Sequence, residues 1–282
     1  MAGILYLVGT PIGNLGDISR RCREVLAEAD FVAAEDTRVT MKLLNHLELR
    51  KPLVSYYAHN SRGSGDRILE RLQAGETCAL VTDAGMPAIS DPGEDLVRLC
   101  AEAGIEVRAV PGPCAAVTAL ALSGLPTQRF TFEGFLSVTR KSRMEHLEGL
   151  RGEKRTMIFY EAPHKLVTTL EDLCACFGED RPTALCRELT KLHEEVFRST
   201  LGEALARYRA EQPRGEFVLV VAGAPEETGE PDEAAALARV QALREAGASL
   251  RDAVRQAAGE TGMNKNALYK LATREEDGKR PE

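Results

Sequence analysis

Three short segments rich in glycine and proline, each following a run of apolar residues, are the part of this sequence best suited to hold a small ligand. They span residues 9–14, 82–93 and 110–115. In an open α/β sheet, ligands bind beyond the carboxyl ends of the strands, where glycines let backbone groups approach them closely. None of the segments matches the G-x-G-x-x-G or G-x-x-x-x-G-K-[ST] fingerprint of phosphate-binding loops. Each alone is typical of a tight turn, but three at successive strand ends predict a small-molecule site that is not a phosphate cradle.

A polar cluster, residues 35–38, follows the second apolar run and can face the same rim. It contains Asp36 and Arg38. These residues also fit a helix start, with Asp36 or Thr37 as the N-terminal cap and Arg38 paired with a carboxylate. Both interpretations stay open at this point. His164 is interpreted as a helix-start residue, because no Ser/His/Asp arrangement has supporting context.

Strands alternating with helices must position these segments. Apolar runs typical of buried strands occupy residues 4–8, 31–34, 53–55, 78–81 and 105–110, with helical periodicity between them. From residue 125 the pattern restarts, with strands near 130–134, 156–160, 183–187 and 217–222 and helices near 140–149, 164–176 and 201–210. This alternation predicts two α/β domains, residues 1–124 and 125–226.

The chain after residue 226 has a different character. Residues 224–232 are acidic, carry proline and glycine and lack apolar periodicity, which predicts a linker. Residues 227–282 are predicted to hold most of that linker and a helical domain, in which Ser249 and Asn264 cap helices separated near residues 259–262. This helix-turn-helix pattern fits RNA contact and, equally, a small dimerisation or capping bundle. Its basic residues include Arg251, Arg255, Lys265 and Lys270.

Composition excludes several classes of protein. A formal net charge of −7 argues against a uniformly basic nucleic-acid coat, although residues 138–155 form a locally basic stretch with Arg140, Lys141 and Arg143. The seven cysteines show no paired C-x-x-C sites, so we expect buried thiols in a reducing compartment and no metal site. No apolar run approaches the roughly 20 residues of a membrane span. We therefore expect a soluble, cytoplasmic protein.

Five segments, in order along the chain, resemble the tetrapyrrole methylase superfamily of class III S-adenosylmethionine (SAM) methyltransferases. They are residues 5–17, 34–38, 82–93, 159–164 and 187–191. The resemblance covers essentially the whole chain and is greatest to the members that methylate ribosomal RNA. It implies an α/β fold of two α/β domains with a cofactor cleft between them, plus a small C-terminal helical domain. It further implies a homodimer that uses SAM to methylate the ribose 2′-hydroxyl of a cytidine in the decoding region of 16S rRNA, in the small ribosomal subunit.

The same resemblance assigns residues to the cofactor site. By position these are Gly9, Pro11, Ile12, Gly85, Met86, Ile89, Cys114, Ala115 and Tyr160. Two of them depart from the family pattern, which has threonine where this chain has Met86 and serine where it has Cys114. Binding through backbone groups would tolerate both changes, whereas a side-chain hydrogen bond at either position would be lost.

Methyl transfer from a sulfonium needs mainly alignment, but a ribose hydroxyl also needs a group that accepts its proton. The catalytic candidates near the expected cleft are Asp36, Arg38, Asp83, Asp91 and Glu161. We expect RNA phosphates to contact Arg187 and Lys191 together with the basic stretch and the C-terminal helices. Two alternatives remain: a methylase of the same fold acting on a corrin precursor or a protein side chain, and a non-enzymatic nucleic-acid-binding regulator.

Overall fold

The computed structural model describes residues 2–57, 61–225 and 233–278, which fall into two compact units, Met1–Ala224 and Pro225–Glu282. Of the predicted linker, residues 226–232 lie outside the described part. The first unit contains two five-stranded sheets and the second contains helices. This arrangement confirms the predicted α/β fold with two sheets and a helical C-terminal region.

The first sheet is parallel throughout. Its strands are β1 (Ile4–Val8), β2 (Phe31–Ala34), β3 (Leu53–Ser55), β4 (Cys78–Val81) and β5 (Glu106–Val110), in the spatial order β3-β2-β4-β1-β5. Its helices are α1 (Arg20–Glu28), α2 (Thr37–His46), α3 (Ser61–Gln73), α4 (Glu94–Glu102) and α5 (Ala115–Ser123). Buried apolar clusters form on both faces, as expected for short continuous apolar strands. As predicted, Ser19 caps α1 by accepting a hydrogen bond from the Cys22 N–H.

The second sheet is mixed. Its strands are β6 (Phe130–Phe135), β7 (Thr156–Glu161), β8 (Pro182–Arg187), β9 (Glu195–Thr200) and β10 (Phe217–Val221), in the order β6-β7-β10-β8-β9. Only β6 and β7 pair in parallel; the other three pairs are antiparallel. The prediction missed β9. This edge strand is half-exposed and carries Glu195 and Arg198, so it lacks the apolar run of an internal strand.

The two faces of the second sheet have different partners. One face, with Met157, Phe159 and Leu219, packs in a core with residues of α6 (Arg140–Gly149), α7 (Leu166–Phe177) and α8 (Leu201–Ala210). The other face, with Ile158 and Val220, packs on α5. Since α5 directly follows the last strand of the first sheet, its burial against the second sheet holds the loop ends of the first sheet near the second.

The C-terminal unit has three helices in its described residues: α9 (Glu233–Glu245), α10 (Leu250–Thr261) and α11 (Lys265–Gly278). They bury a small apolar core of their own. Ser249 and Asn264 cap α10 and α11, as predicted. The predicted break at 259–262 is wrong in position, because α10 continues through Gly259 to Thr261. The residue that follows, Gly262, has a φ of 70°, the left-handed conformation that glycine favours.

Two smaller expectations concern the cysteines and the membrane. Five of the seven cysteines are buried free thiols, while Cys114 and Cys174 are only partly buried. Within the described ranges, no helix combines the length and apolar character needed to cross a bilayer.

Candidate active site

The three glycine- and proline-rich segments meet at one edge of the first sheet. They follow β1, β4 and β5, which are neighbours in the parallel sheet, so their carboxyl ends lie side by side. The Thr10 N–H donates to the Gly85 carbonyl at 2.9 Å, and the Gly85 N–H donates back to the Thr10 carbonyl at 3.2 Å. The Thr10 hydroxyl also donates to the Thr82 carbonyl. These bonds join the first two segments into one wall.

Glycine is required where the first and third segments cross. A Cβ placed on Gly9 would lie 2.7 Å from the backbone N and Cα of Gly112 and 2.6 Å from Sδ of Met86. A Cβ on Gly112 would meet the Gly9 backbone at 2.8 Å. Contacts this short do not occur between real Cβ atoms and their neighbours, so any larger residue would push the two loops apart.

The joined loops and the second sheet enclose a cavity of about 570 Å³. Seven of the nine residues expected to hold the cofactor line it, namely Ile12, Gly85, Met86, Ile89, Cys114, Ala115 and Tyr160. Gly9 and Pro11 are not among its lining residues. Gly9 instead lies where the first segment crosses the third, against Gly112. The second sheet contributes Phe135, Cys186, Phe217 and Val218. Sequence reasoning did not select these four, because they face the cavity only once the two sheets pack together.

The cavity is acidic. Glu35, Asp83, Asp91, Glu161 and Glu216 line it, and none of the lining residues described is lysine or arginine. Burial is the main cause that raises the pKa of Glu35 and of Asp83. For Asp91, burial and then the charges of Glu35 and Asp83 raise the pKa to about 6. This environment favours a cationic ligand and opposes a phosphate.

Asp36 and Arg38 lie beside the cavity, and they do not line it. Asp36 caps α2 and accepts hydrogen bonds from Nε and Nη2 of Arg38 at 3.0 and 2.6 Å. The Arg38 side chain and its N–H are the main causes that lower the pKa of Asp36 to about 2. Both residues therefore fit the helix-start interpretation, in which Asp36 is the N-terminal cap and Arg38 pairs with a carboxylate. The Asp36 N–H also donates to Oδ1 of Asp83 at 3.1 Å, which ties the start of α2 to the cavity rim.

Glu161 lines the cavity, but its hydrogen bonds go to neighbouring protein groups. Its carboxylate is buried at the end of β7, accepting from the Thr169 hydroxyl at 2.5 Å and from the Ala162 N–H at 2.8 Å. These bonds fix the turn that leads into α7. His164 lies in that turn, two residues before the helix, and its exposed side chain also lines the cavity.

Tyr160 connects the second sheet to α5. Its hydroxyl accepts a hydrogen bond from the Ala116 N–H at 3.1 Å, and its ring makes edge contacts with Phe132 and Phe135. Burial is the main cause that raises its pKa to about 12, so the hydroxyl keeps its proton. The neighbouring Cys114 is the N-cap of α5 but makes no side-chain capping bond. A serine at that position would be able to make one.

Arg143 was predicted to contact RNA, and the structure contradicts this. Its side chain is buried, and its guanidinium pairs with the buried Asp172 at 2.7 Å and donates to the Ser137 carbonyl at 2.9 Å. Among its neighbours, Arg140 is exposed and lies 3.6 Å from Asp172, and Lys141 is exposed and lies 4.0 Å from Glu145.

The other residues predicted to contact RNA differ in their exposure and in whether they already form ion pairs. Arg187 pairs with Glu195, and Lys191 pairs with Glu188 and Glu216. The four residues of the C-terminal unit, Arg251, Arg255, Lys265 and Lys270, are all exposed, and Arg255 pairs with Asp252. The C-terminal residues are therefore more accessible than Arg187 and Lys191.

Comparison with known proteins decides the family. The model of the family described as Tetrapyrrole (Corrin/Porphyrin) Methylases matches residues 4–205, which is most of the chain. The chain belongs to the tetrapyrrole methylase family.

This tetrapyrrole methylase is similar to two proteins named Ribosomal RNA small subunit methyltransferase I. It is 48% identical over 271 residues to the one from Synechocystis sp., covering 96% of this chain and 97% of that protein. It is 47% identical over 272 residues to the one from Escherichia coli O157:H7, covering 96% and 94%. In contrast to the family model, which ends at residue 205, these alignments include most of the C-terminal helical unit.

The fold is also found in a solved structure. Uroporphyrin-III-C-methyltransferase from Thermus thermophilus superposes with a TM-score of 0.56 at 22% identity, covering 78% of this chain and 94% of that one. At this identity the likeness shows that this tetrapyrrole methylase shares the fold, and it leaves the acceptor open.

Proposed function

We propose that this protein transfers the methyl group of SAM to the ribose 2′-hydroxyl of a cytidine in the decoding region of 16S rRNA. The extent of the similarity to the two rRNA small subunit methyltransferases I carries the proposal, because at 96% of the chain it includes most of the C-terminal helical unit as well as both sheets. Fold likeness alone would not choose an acceptor, since a uroporphyrin methyltransferase shares the fold.

The cavity fits SAM in size and in charge. Its volume of about 570 Å³ lies within the usual range for small-molecule sites. SAM carries a sulfonium and an ammonium group, which suit walls that contain five carboxylates and no lysine or arginine among their described residues. When bound, SAM supplies an electrophilic methyl carbon. Ile12, Met86 and Ala115 on the loops would hold it, together with Tyr160 from the second sheet.

We assign the role of proton acceptor to Asp91. Asp36 is unsuited because Arg38 holds its pKa near 2. Glu161 already accepts two hydrogen bonds from the turn that it supports. Asp91 lines the cavity and has a pKa raised to about 6, so its ionised form is a stronger base than an ordinary aspartate. It is therefore the candidate best matched to taking a proton near neutral pH.

Exposed basic residues would bring the RNA to this cavity. Arg140, Lys141 and the C-terminal set Arg251, Arg255, Lys265 and Lys270 are proposed to contact phosphates. Arg187 and Lys191 would first have to exchange their carboxylate partners for phosphates. The family resemblance adds that the enzyme works in the cytoplasm as a homodimer. Sedimentation of the purified protein would test the oligomeric state.

Labelled SAM tests the proposal directly. The purified protein is incubated with unmodified small ribosomal subunits and, in parallel, with a uroporphyrin acceptor. We expect label only on the ribosomal RNA, at the ribose of one cytidine. Label on the tetrapyrrole alone would favour the fold-related alternative. Tight SAM binding with no transfer to either acceptor would favour a regulator that senses SAM.

A further inference from the structure

Phe135 is an aromatic side chain in an unusual position. It lines the cavity, yet 59% of its surface is exposed. The ring makes an edge-type contact with the ring of Tyr160, with 5.4 Å between the ring centroids. Tyr160 is itself held by the Ala116 N–H, so Phe135 has a fixed aromatic partner while more than half of its own surface stays exposed.

A β-bulge in β6 turns Phe135 toward the cavity. Phe132 pairs with Ile158 of β7, but the register then shifts, so that Gly134 pairs with Phe159 and Phe135 pairs with Tyr160. In a regular register Phe135 would pair with Glu161 and point to the opposite face, because side chains alternate along a strand. The extra residue therefore moves this ring from the α7 side to the cavity side.

Glycine makes this bulge possible. Gly134 has a φ of 63°, and a Cβ at this position would lie 3.2 Å from Oγ of Ser90, in the segment 82–93 of the first sheet. Phe135 is thus placed where the loops of one sheet meet a strand of the other. Bulges are uncommon between parallel strands and often re-aim a side chain next to an active site.

An exposed ring that lines a cavity and has a fixed aromatic neighbour is suited to stack on a flat partner. Enzymes that do chemistry on a base take it out of the stack and hold it between aromatic or apolar side chains, and proteins that bind single strands stack bases on aromatic side chains. We propose that Phe135 stacks on the base of the acceptor nucleotide and so positions its ribose over the cavity. This assignment rests on the proposed function, and it concerns the acceptor nucleotide and not SAM.

Three substitutions isolate the stacking role. Phe135→Ala removes the ring, Phe135→Leu keeps an apolar side chain without a π-face, and Phe135→Tyr keeps the ring. Phe130→Ala is the matched control, because Phe130 is an exposed phenylalanine at the other end of the same strand and does not line the cavity. Circular dichroism and SAM titration calorimetry establish that each variant is folded and binds SAM.

Steady-state methylation of small subunits gives the first readout. We expect Phe135→Ala and Phe135→Leu to raise KM for the subunit about tenfold or more, with SAM affinity unchanged, as loss of one base stack implies. Phe135→Tyr and Phe130→Ala should behave as the wild type. Wild-type kinetics in Phe135→Leu would overturn the proposal. Weaker SAM binding or a changed oligomeric state in Phe135→Ala would also overturn it, because the ring would then serve the cofactor or a subunit contact.

A binding measurement separates this proposal from the proposed reaction. The probe is single-stranded RNA of the decoding-region sequence, with 2-aminopurine in place of the target cytosine. Stacking on Phe135 should quench its fluorescence with the wild type and with Phe130→Ala, and less so with Phe135→Leu. If the quench depends on the Phe135 ring but the protein methylates no RNA, the stacking proposal stands and the proposed reaction is refuted. An equal quench in Phe135→Leu, or none with the wild type, would refute stacking.

Discussion

Replacing Asp91 by asparagine should reduce methyl transfer and raise stability at the same time. The carboxylate is half-buried at the cavity wall, and this burial together with the charges of Glu35 and Asp83 raises its pKa to about 6 from an ordinary value of 3.8. If Asp91 accepts the proton, kcat/KM rises with pH as this group ionises in the free enzyme. With a pKa of about 6, roughly one tenth of the molecules are ionised at pH 5 and roughly nine tenths at pH 7.

The pH profile therefore gives a quantitative test. For the wild type we expect kcat/KM to be about tenfold lower at pH 5 than at pH 7, whereas an aspartate with an ordinary pKa would give nearly equal values. Asp91→Asn should lower kcat by about 10²–10⁴-fold and remove the rise of kcat/KM between about pH 5 and pH 7. Asp95→Asn is the matched control, because Asp95 is exposed on α4 and pairs with Arg98. Its profile should match that of the wild type.

Stability provides an independent readout with a defined sign. Because the pKa of Asp91 is raised on folding, its stabilising contribution is complete below the unfolded value near 4 and is lost as pH rises through about 6. Asp91→Asn avoids this loss, so its Tm should exceed that of the wild type at pH 7 and approach it at pH 4. The reasoning would be refuted if Asp91→Asn kept the wild-type rate. It would also be refuted if kcat/KM of the wild type rose with pH near pH 4 instead of near pH 6.

Three further variants test other features. Cys114→Ser gives α5 the missing cap, so the free energy of unfolding should rise by about 1 kcal/mol in urea titrations; an unchanged value would mean that the hydroxyl does not reach the helix. Arg143→Met leaves Asp172 buried without its main partner and should cost about 3–5 kcal/mol in the same titrations, with a far smaller loss indicating a relaxed pair. Lys265→Gln with Lys270→Gln should weaken subunit binding and flatten its dependence on log[salt] by about two units in filter binding; an unchanged slope would exclude phosphate contacts.

The sequence was sufficient to predict the cavity wall of the first sheet. Short apolar runs ended by glycine and proline mark parallel strand ends, and the neighbours of such ends follow from the fold class. The wall contributed by the second sheet was harder to predict, since Cys186 and Val218 look like ordinary strand residues. Their place depends on the packing of α5, whose apolar residues suit burial but do not specify which surface they bury against.

Phe135 and Arg143 show the limits of pattern reading in opposite ways. Glycine within the β6 pattern is a recognised signal of a bulge, but only the observed register reveals that the bulge turns Phe135 to the cavity. Arg143 lies in a basic run that resembles a solvated surface, yet it is buried because Asp172, 29 residues away, provides a partner. Long-range pairing of this kind leaves no local trace in the sequence.

The crossing of Gly9 with Gly112 and the exchange of hydrogen bonds between Thr10 and Gly85 make the cavity wall a composite of three distant parts of the chain. No single strand end forms this wall alone, so binding requires that β1, β4 and β5 of the first sheet are assembled. A ligand at 100 times its Kd would then add about 2.7 kcal/mol to the stability of that sheet. In the cell, the supply of methyl donor would thereby also set how long this protein survives proteolysis.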